Sequence, residues 1–323
     1  MLKNKELRLK ILDFLKFVPD RVMVEAQFRL TMHKKLDLKN PETLNEKLNW
    51  LKLYDHNPEH IKLVDKYKVR EYVSKEIKDL NLIPLLGKWD KYEDIDFNSL
   101  PDKFVLKCNH DSGSIQIIND KNLINHDELK EFFSRRLKNN PYSYGREWPY
   151  KFVQPCIIAE QYMSESDGTP PVDYKFFCFN GNVDSVMLCT GRGTAGKRFY
   201  FFDRNWKLKK YNRSAQDLPD DFTLEKPEGI DKLFDLASKL SKGEAFVRID
   251  FYLIGGRPYF GEFTFYPAGG FDNNILPWAD KYLGSLIDLD LIKPPAPRRH
   301  RRPSRTPSRR GTNRGRSPRC PPC

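Results

Sequence analysis

The 323-residue chain has no uninterrupted apolar run approaching the roughly 18 residues that cross a bilayer. Its first 20 residues alternate charged and apolar side chains, where a secretory signal would carry a clean hydrophobic stretch. Neither a membrane-spanning nor a secreted protein is expected, and the expected location is cytoplasmic. Cysteine is scarce. Six in a chain of this length make no disulfide framework, and Cys108, Cys156, Cys178 and Cys189 sit inside apolar or strand-like segments as small packing residues. Cys320 and Cys323 have CxxC spacing, but without a second pair or a βαβ context that spacing does not point to zinc or redox chemistry. Glycine is absent from the first 60 residues, so no Gly-rich phosphate loop or turn-delimited repeat lies there.

Acidic residues and lysine are missing from residues 294–323, which hold ten Arg and eight Pro. The net charge of +12 less those ten arginines leaves +2 for the rest of the chain, so the basic balance is not the footprint of a nucleic-acid-binding domain. This tail cannot bury a core and is expected to be disordered. Its switch from Lys to Arg suggests an end foreign to the domain, such as a frameshift or a fusion scar; a solvated native tail and an arm for RNA or an anionic surface stand as alternatives.

What is present reads as an α+β protein: a helical region over 1–60, a main domain over 61–293 with parts at about 61–155 and 156–293, and the tail. Leu7, Ile11, Phe14, Leu15 and Val18 recur at helical spacing within residues 2–18, a basic amphipathic helix that docks on its own domain or lies on a membrane surface. A second helix is expected over about 21–35 and a third from Asn40-Pro41. Asp65 is expected to cap the helix of DKYKVREYVSKEI. Residues 102–108 and 115–118 read as strands around the NHDSGS turn, a helix runs over His126–Lys138, and residues 156–163 form a further strand. Asn180-Gly181 marks a two-residue hairpin turn. The glycine-rich segment 191–203 is either a mobile basic loop closing over an anionic substrate or a surface turn.

The densest chemistry lies in FVRIDFYLIGGRPYFGEFTFYPAGG, residues 246–270. Two runs rich in Phe, Tyr, Ile and Val flank Gly255-Gly256, the pattern of a β-hairpin. A three-residue loop, Gly255-Gly256-Arg257, opposes Ile254 to Pro258, Asp250 to Glu262 and Arg248 to Thr264. That register gathers these four polar side chains on one face and puts Ile249, Phe251, Leu253, Tyr259, Phe263 and Phe265 on the other. A two-residue Gly-Gly loop would turn Glu262 toward Ile249 and Phe251, so the longer loop is preferred. Two opposed carboxylates at about 4 Å repel by on the order of 1–4 kcal/mol. A divalent cation between them turns repulsion into ligation. Alternatively, Arg248 neutralises one carboxylate and solvent the other.

In order along the chain, DKYKVREYV…LIPLL, FVLKCNHDSGS, IIAEQYM and VRIDFY…YFGEFTFYP resemble the successive motifs of an ATP-grasp enzyme. More narrowly, FVLKCNH, DYKFFCFNG, FVRIDFY and YFGEFTFYP resemble the TupA-like ATP-grasp family of bacterial polysaccharide and teichuronopeptide gene clusters, over roughly residues 40–290. The resemblance implies an ATP-grasp fold, two α+β subdomains that sandwich ATP, behind a helical preface. Lys107 would then contact ATP phosphates beneath a Ser112-Gly113-Ser114 turn. Glu160 to Met163 would form the adenine hinge, with the backbones of Gln161 and Met163 on adenine and Asp173 at the ribose. Lys175 and Arg192 would meet phosphate or substrate, and Asp250 and Glu262 would hold Mg²⁺. Arg248 would neutralise a developing oxyanion with backbone N–H groups near Gly269-Gly270. Thr264 occupies the third metal position, usually Asn in the fold, and is a poorer ligand. The α/β domain that often precedes the fold is replaced by the preface.

The activity implied is ATP-dependent joining of a carboxylate to an amine, both sugar- or amino-acid-derived, through an acyl phosphate at the cytoplasmic face of the membrane. Two alternatives remain open in the sequence. A glycosyltransferase would use the DxD triplets Asp94-Ile95-Asp96 or Asp288-Leu289-Asp290. A non-catalytic adaptor would bind ATP without turnover, as the weak ligand Thr264 allows.

Overall fold

A computed structural model describes residues 11–191 and 196–292. Helices α1 (Asp20–Met32), α2 (Leu44–Tyr54), α3 (Glu59–Leu63) and α4 (Val69–Glu76) precede strands β1 (Asn81–Leu82), β2 (Leu85–Trp89), β3 (Phe104–Cys108) and β4 (Gln116–Ile118). Then come α5 (His126–Lys138), α6 (Tyr142–Gly145) and strands β5 (Ile157–Gln161), β6 (Asp173–Phe179), β7 (Asn182–Thr190), β8 (Arg198–Phe202) and β9 (Leu208–Lys209). Helix α7 (Ile230–Leu240), the hairpin β10 (Phe246–Ile254) and β11 (Arg257–Thr264), and α8 (Pro277–Ser285) complete the chain. The strands form two sheets, ordered β1-β11-β10-β6-β7-β8-β9 and β2-β5-β3-β4. All pairings are antiparallel except β1 with β11.

The larger sheet is half buried by α7, whose Leu233, Phe234, Ala237 and Leu240 are spaced to form one apolar stripe. Phe176 of β6 meets Phe234 edge-on at 5.0 Å and Phe251 of β10 at 5.6 Å, tying helix to sheet. The opposite face of β6 and β10 carries Lys175, Arg248 and Asp250 next to Phe177, Phe179 and Phe246. The smaller sheet packs Phe104, Leu106 and Ala159 against Leu129 and Phe133 of α5.

The expected hairpin at Asn180-Gly181 forms, with both residues at positive φ (50° and 80°) as the tight turn requires. Two helix starts differ from expectation. Helix α2 begins not at Asn40-Pro41 but after Thr43, whose hydroxyl accepts from the Glu46 N–H at 3.3 Å while the Glu46 carboxylate accepts from the Thr43 N–H at 3.1 Å. Asp65 caps a turn ahead of α4, accepting from the N–H groups of Tyr67 and Lys68 at 2.9 and 3.2 Å, and the helix itself starts at Val69. The helix expected over 2–18 lies partly outside the described residues. Residues 11–14 are helical, Leu15–Phe17 make a 3-10 turn, and Phe14 is 73% exposed rather than docked.

In the β10–β11 hairpin the site end keeps the expected register: Arg248 opposes Thr264, Ile249 opposes Phe263 and Asp250 opposes Glu262. The turn end does not. Ile254 opposes Arg257, Leu253 opposes Pro258 and Tyr252 opposes Tyr259, so the loop is the two-residue Gly255-Gly256 turn, with both φ values positive. A bulge between Asp250 and Phe251 on one strand, taken up at Gly261 on the other, reconciles the two ends. Phe260, instead of Tyr259, thus faces the core beside Phe251. A Cβ at position 261 would stand 2.8 Å from the Asp250 carbonyl oxygen, so the close approach at the bulge needs glycine.

Candidate functional site

Pairing across β11, β10 and β6 sets Glu262 beside Asp250 and Asp250 beside Lys175, because opposed residues in a ladder share a face. Arg248 chelates Asp250 through Nε and Nη2, both at 2.7 Å, and its Nη2 also reaches Thr264 Oγ1 at 3.0 Å and Glu262 Oε1 at 3.4 Å. Lys175 Nζ lies 2.5 Å from Asp250 Oδ2 and 2.8 Å from Asp173 Oδ2. Burial pushes the Asp250 carboxyl up while Arg248 and Lys175 pull it down. Burial also works against the Glu262 carboxylate, but Lys66, Arg248 and Lys175 outweigh it and hold it below the usual glutamate range.

The smaller sheet faces this cluster with a second set of charges. Lys107 of β3 lies 2.5 Å from Glu160 Oε2 on the neighbouring β5, and Arg70 of α4 reaches Glu160 Oε1 at 3.3 Å. Lys107, Glu160 and Arg70 line one small cleft with Tyr252, Phe260 and Gly261 of the hairpin, so the two sheets meet there. Burial holds the Tyr252 hydroxyl protonated, ready to donate. In the loop after β3, Gly113 has φ 89° and its carbonyl accepts from Arg136 at 2.5 Å. Ser112 is exposed, whereas Ser114 is buried and its hydroxyl accepts from the Cys108 N–H at 2.9 Å and donates to Asp111, holding the loop's shape. At the end of β5, the Gln161 N–H donates to the Pro84 carbonyl at 2.9 Å, so that donor is already used, and Met163 is half-buried. Arg192 lies outside the described residues.

The segment that follows Thr264 is clamped by the helical preface. Ala268, Gly269 and Gly270 all have positive φ (49°, 64° and 71°). The carbonyls of Gly269 and Gly270 turn toward α2, where Lys52 Nζ donates to Gly269 O and Asn49 Nδ2 donates to Gly270 O at 2.7 Å. Burial pulls the Lys52 amine down to about 8, with Glu147 opposing, and pushes the Glu147 carboxyl up to about 7, with Lys52 opposing.

The donor set suits a hard divalent cation. Two carboxylates share one face, and the Glu262 side chain is 37% exposed, its Oε2 having Lys66 at 3.9 Å. No group of three or more His, Cys, Asp or Glu able to hold a metal occurs among the described residues. Remaining ligands would be phosphate oxygens and water. Thr264 Oγ1 donates to Glu262 Oε1 at 3.3 Å while accepting from Arg248. The DxD carboxylates serve local turns: Asp96 accepts from the Asn98 N–H and Asp288 from the Asp290 N–H.

Sequence reasoning singled out Lys107, Asp173, Lys175, Arg248, Asp250 and Glu262, and the fold draws these together from four strands. It missed Lys66, Arg70 and Tyr252. Lys66 and Arg70 stand in the DKYKVR segment as ordinary polar positions of a helix start, and only the fold brings them to Glu262 and Glu160.

A family model described as TupA-like ATPgrasp matches residues 46–288. Among solved structures, the D-alanine–D-alanine ligase of Bacillus anthracis in complex with ATP is similar at 16% identity and TM-score 0.41, over 72% of this chain and 63% of that one. The D-alanine–D-alanine ligase of Helicobacter pylori is similar at 12% identity and TM-score 0.41, over 77% and 70%. The ATP-grasp ligase PsnB, complexed with a precursor variant, Mg and ADP, is similar at 9% identity and TM-score 0.41, over 77% and 66%. The chain thus spans less than two thirds of the length of the first of these. No curated protein matches.

Proposed function

The chain belongs to the TupA-like ATP-grasp family, and from that we propose that it is an ATP-dependent carboxylate–amine ligase acting in bacterial cell-surface polysaccharide biosynthesis. The observation that carries the reading is the cluster of Lys175, Arg248, Asp250 and Glu262 on the large sheet, next to a cleft where Lys107 and Glu160 of the small sheet and Arg70 of α4 meet Tyr252, Phe260 and Gly261 of the same hairpin, with Lys66 in that cleft 3.9 Å from Glu262. A carboxylate oxygen attacks the γ-phosphorus of ATP and the bond to the bridging oxygen breaks, giving an acyl phosphate and ADP. The amine nitrogen then attacks the acyl carbon, phosphate leaves and the nitrogen loses its proton. Lys107 and the 112–114 loop hold phosphate oxygens, residues 160–163 seat the adenine and Asp173 meets the ribose. Asp250 and Glu262, with Thr264 as a weaker third group, hold Mg²⁺, which when bound offsets phosphate charge. Lys175, Arg192 and Arg248 orient the acid and neutralise charge that develops on its oxygens.

Residues 61–293 act as the nucleotide-binding body, with the preface over 1–60 in place of a separate substrate domain. Among the described residues no helix is long and apolar enough to cross a membrane. Work at the inner face of the cytoplasmic membrane is supported by the exposed Phe14 and Phe17 at the end of the basic N-terminal segment.

Thermal-shift titration with Mg²⁺-ATP tests the site. Binding at a hundred times Kd stabilises by about 2.7 kcal/mol, and an Asp250→Asn/Glu262→Gln variant should lose that shift. A shift with UDP-sugars and none with ATP would sink the ligase reading.

A further inference from the structure

Beside the charge cluster lies a cavity of about 590 Å³, in the range of small-molecule sites; Asp173, Lys175 and Arg248 in its lining have roles in the assignment above, and the rest of its lining has none. Lys175 and Arg248 form one end of it. Its floor is the same face of the large sheet, carried by Met187, Cys189 and Phe199. Its wall is built where two distant segments meet: Asn212 bridges Ile275, the Arg213 N–H donates to Asn274 O at 3.1 Å, and the Leu276 N–H donates to Tyr211 O at 2.7 Å.

Two side chains in this wall are electrostatically incomplete. Asn212 is only 1% exposed; its Nδ2 donates to the Phe199 carbonyl at 2.9 Å, which fixes the amide's orientation, and its Oδ1 has no hydrogen-bond partner among the described residues. A buried acceptor left without a donor is unfavourable. Asp272 accepts from the Asn274 N–H at 2.9 Å and is also favoured by the Ile275 N–H, but no Lys or Arg among the described residues forms an ion pair with it. Burial, with the like charge of Asp280 adding to it, pushes its carboxyl up. Asp250 and Glu160, by contrast, each hold two cations.

We infer that this cavity is the acceptor site and takes a small primary amine that carries further hydrogen-bond donors, its ammonium on Asp272 and a neighbouring O–H or N–H on Asn212 Oδ1. The inference rests on the ligase reading, since the cavity ends at Lys175 and Arg248, where the acyl phosphate would form. Amino sugars and hydroxylated amino acids share this chemistry, and the aliphatic and aromatic floor suits the apolar face of either.

Cys189 supplies a reporter. It is half-buried in the cavity, whereas Cys108, Cys156 and Cys178 are buried and their thiols are pushed up to about 12 by desolvation. Iodoacetamide labelling of the full chain, quantified for the Cys189 peptide by mass spectrometry, is run with glucosamine, serine or glucose, beside a separate thermal shift with the Mg²⁺ complex of a non-hydrolysable ATP analogue. Glucosamine or serine should slow alkylation about tenfold at ten times its Kd, and glucose should not. Which of the two amines protects tells amino sugar from amino acid. Asp272→Asn keeps the acceptor for the Asn274 N–H and should weaken amine protection about 10- to 100-fold. Equal protection by glucose overturns the inference. So does a nucleotide shift with no protection by either amine, an outcome that leaves the ligase reading standing; loss of both signals overturns the two together.

Discussion

The two ends of the β10–β11 hairpin obey different rules. At the turn end, Gly255 and Gly256 have no described atom within 4 Å of where a side chain would begin, and their φ values of 55° and 72° are those the tight turn requires. The one outside hydrogen-bond partner among the described residues is Glu165, which accepts from the Gly255 N–H at 3.5 Å. At the site end partners come from outside the hairpin as well as within it: Asp250 is met by Lys175 of β6, Glu262 by Lys66, and the continuation at Gly269 and Gly270 by Lys52 and Asn49 of α2. The turn is locally determined and the site is held in place by the rest of the fold. Gly261 lets both rules hold in one pair of strands.

The comparison is broken most severely at the site end. Asp250→Asn removes the carboxylate that Arg248 and Lys175 share, and turnover should fall about 10²- to 10³-fold, as for loss of one preorganised charge; steady-state ADP release, once an acid and amine pair is known, measures it. Gly261→Ala drives a methyl into the Asp250 carbonyl, and overpacking of this kind costs about 1–3 kcal/mol. Urea denaturation gives the loss, and a fall in Mg²⁺-ATP stabilisation beyond the stability change would show that the bulge aims Asp250.

The clamp on the continuation predicts a pH signature. Glu147 is raised from 4.5 to about 7 in the fold, so its contribution is full below pH 4.5 and is lost as pH rises toward about 7. Lys52 is lowered from 10.5 to about 8, so its contribution is full above pH 10.5 and is lost as pH falls toward about 8. Unfolding free energy should dip between pH 7 and 8, and Glu147→Gln should reduce the acid-side slope, the other buried carboxyls raised in the fold, Asp55, Asp250, Asp272 and Asp280, supplying the remainder. The smallest effect belongs to the turn. Gly255→Ala meets no neighbour and costs only the left-handed backbone, about 1–2 kcal/mol, with ATP binding unchanged.

The sequence was legible where one strong local rule acted alone. Asn180-Gly181 announced its turn because both residues tolerate positive φ, and the alternation of Arg248, Asp250, Glu262 and Thr264 with apolar neighbours disclosed the site face. The hairpin loop was misjudged because a single register was assumed along its whole length, and a bulge costs only one residue that sequence alternation cannot locate. Asn40-Pro41 looked like a helix start, but the reciprocal bonds of Thr43 and Glu46 satisfied the orphan N–H groups better. Lys66, Arg70 and the pairing of Asn212 with Ile275 depend on contacts between segments far apart in the chain, which no local period encodes. The family resemblance over motifs in order carried the rest of the site.

The grip of Arg248 and Lys175 on Asp250 has a thermodynamic corollary. On the proposed assignment a divalent ion reaching that carboxylate competes with cations the protein already supplies, so the ion by itself gains little and binds weakly. The displaced guanidinium and ammonium then seek anions, which the polyphosphate brings. Each ligand thereby lowers the exchange cost met by the other, and by linkage the benefit is mutual: nucleotide should tighten the ion by the same factor as the ion tightens nucleotide.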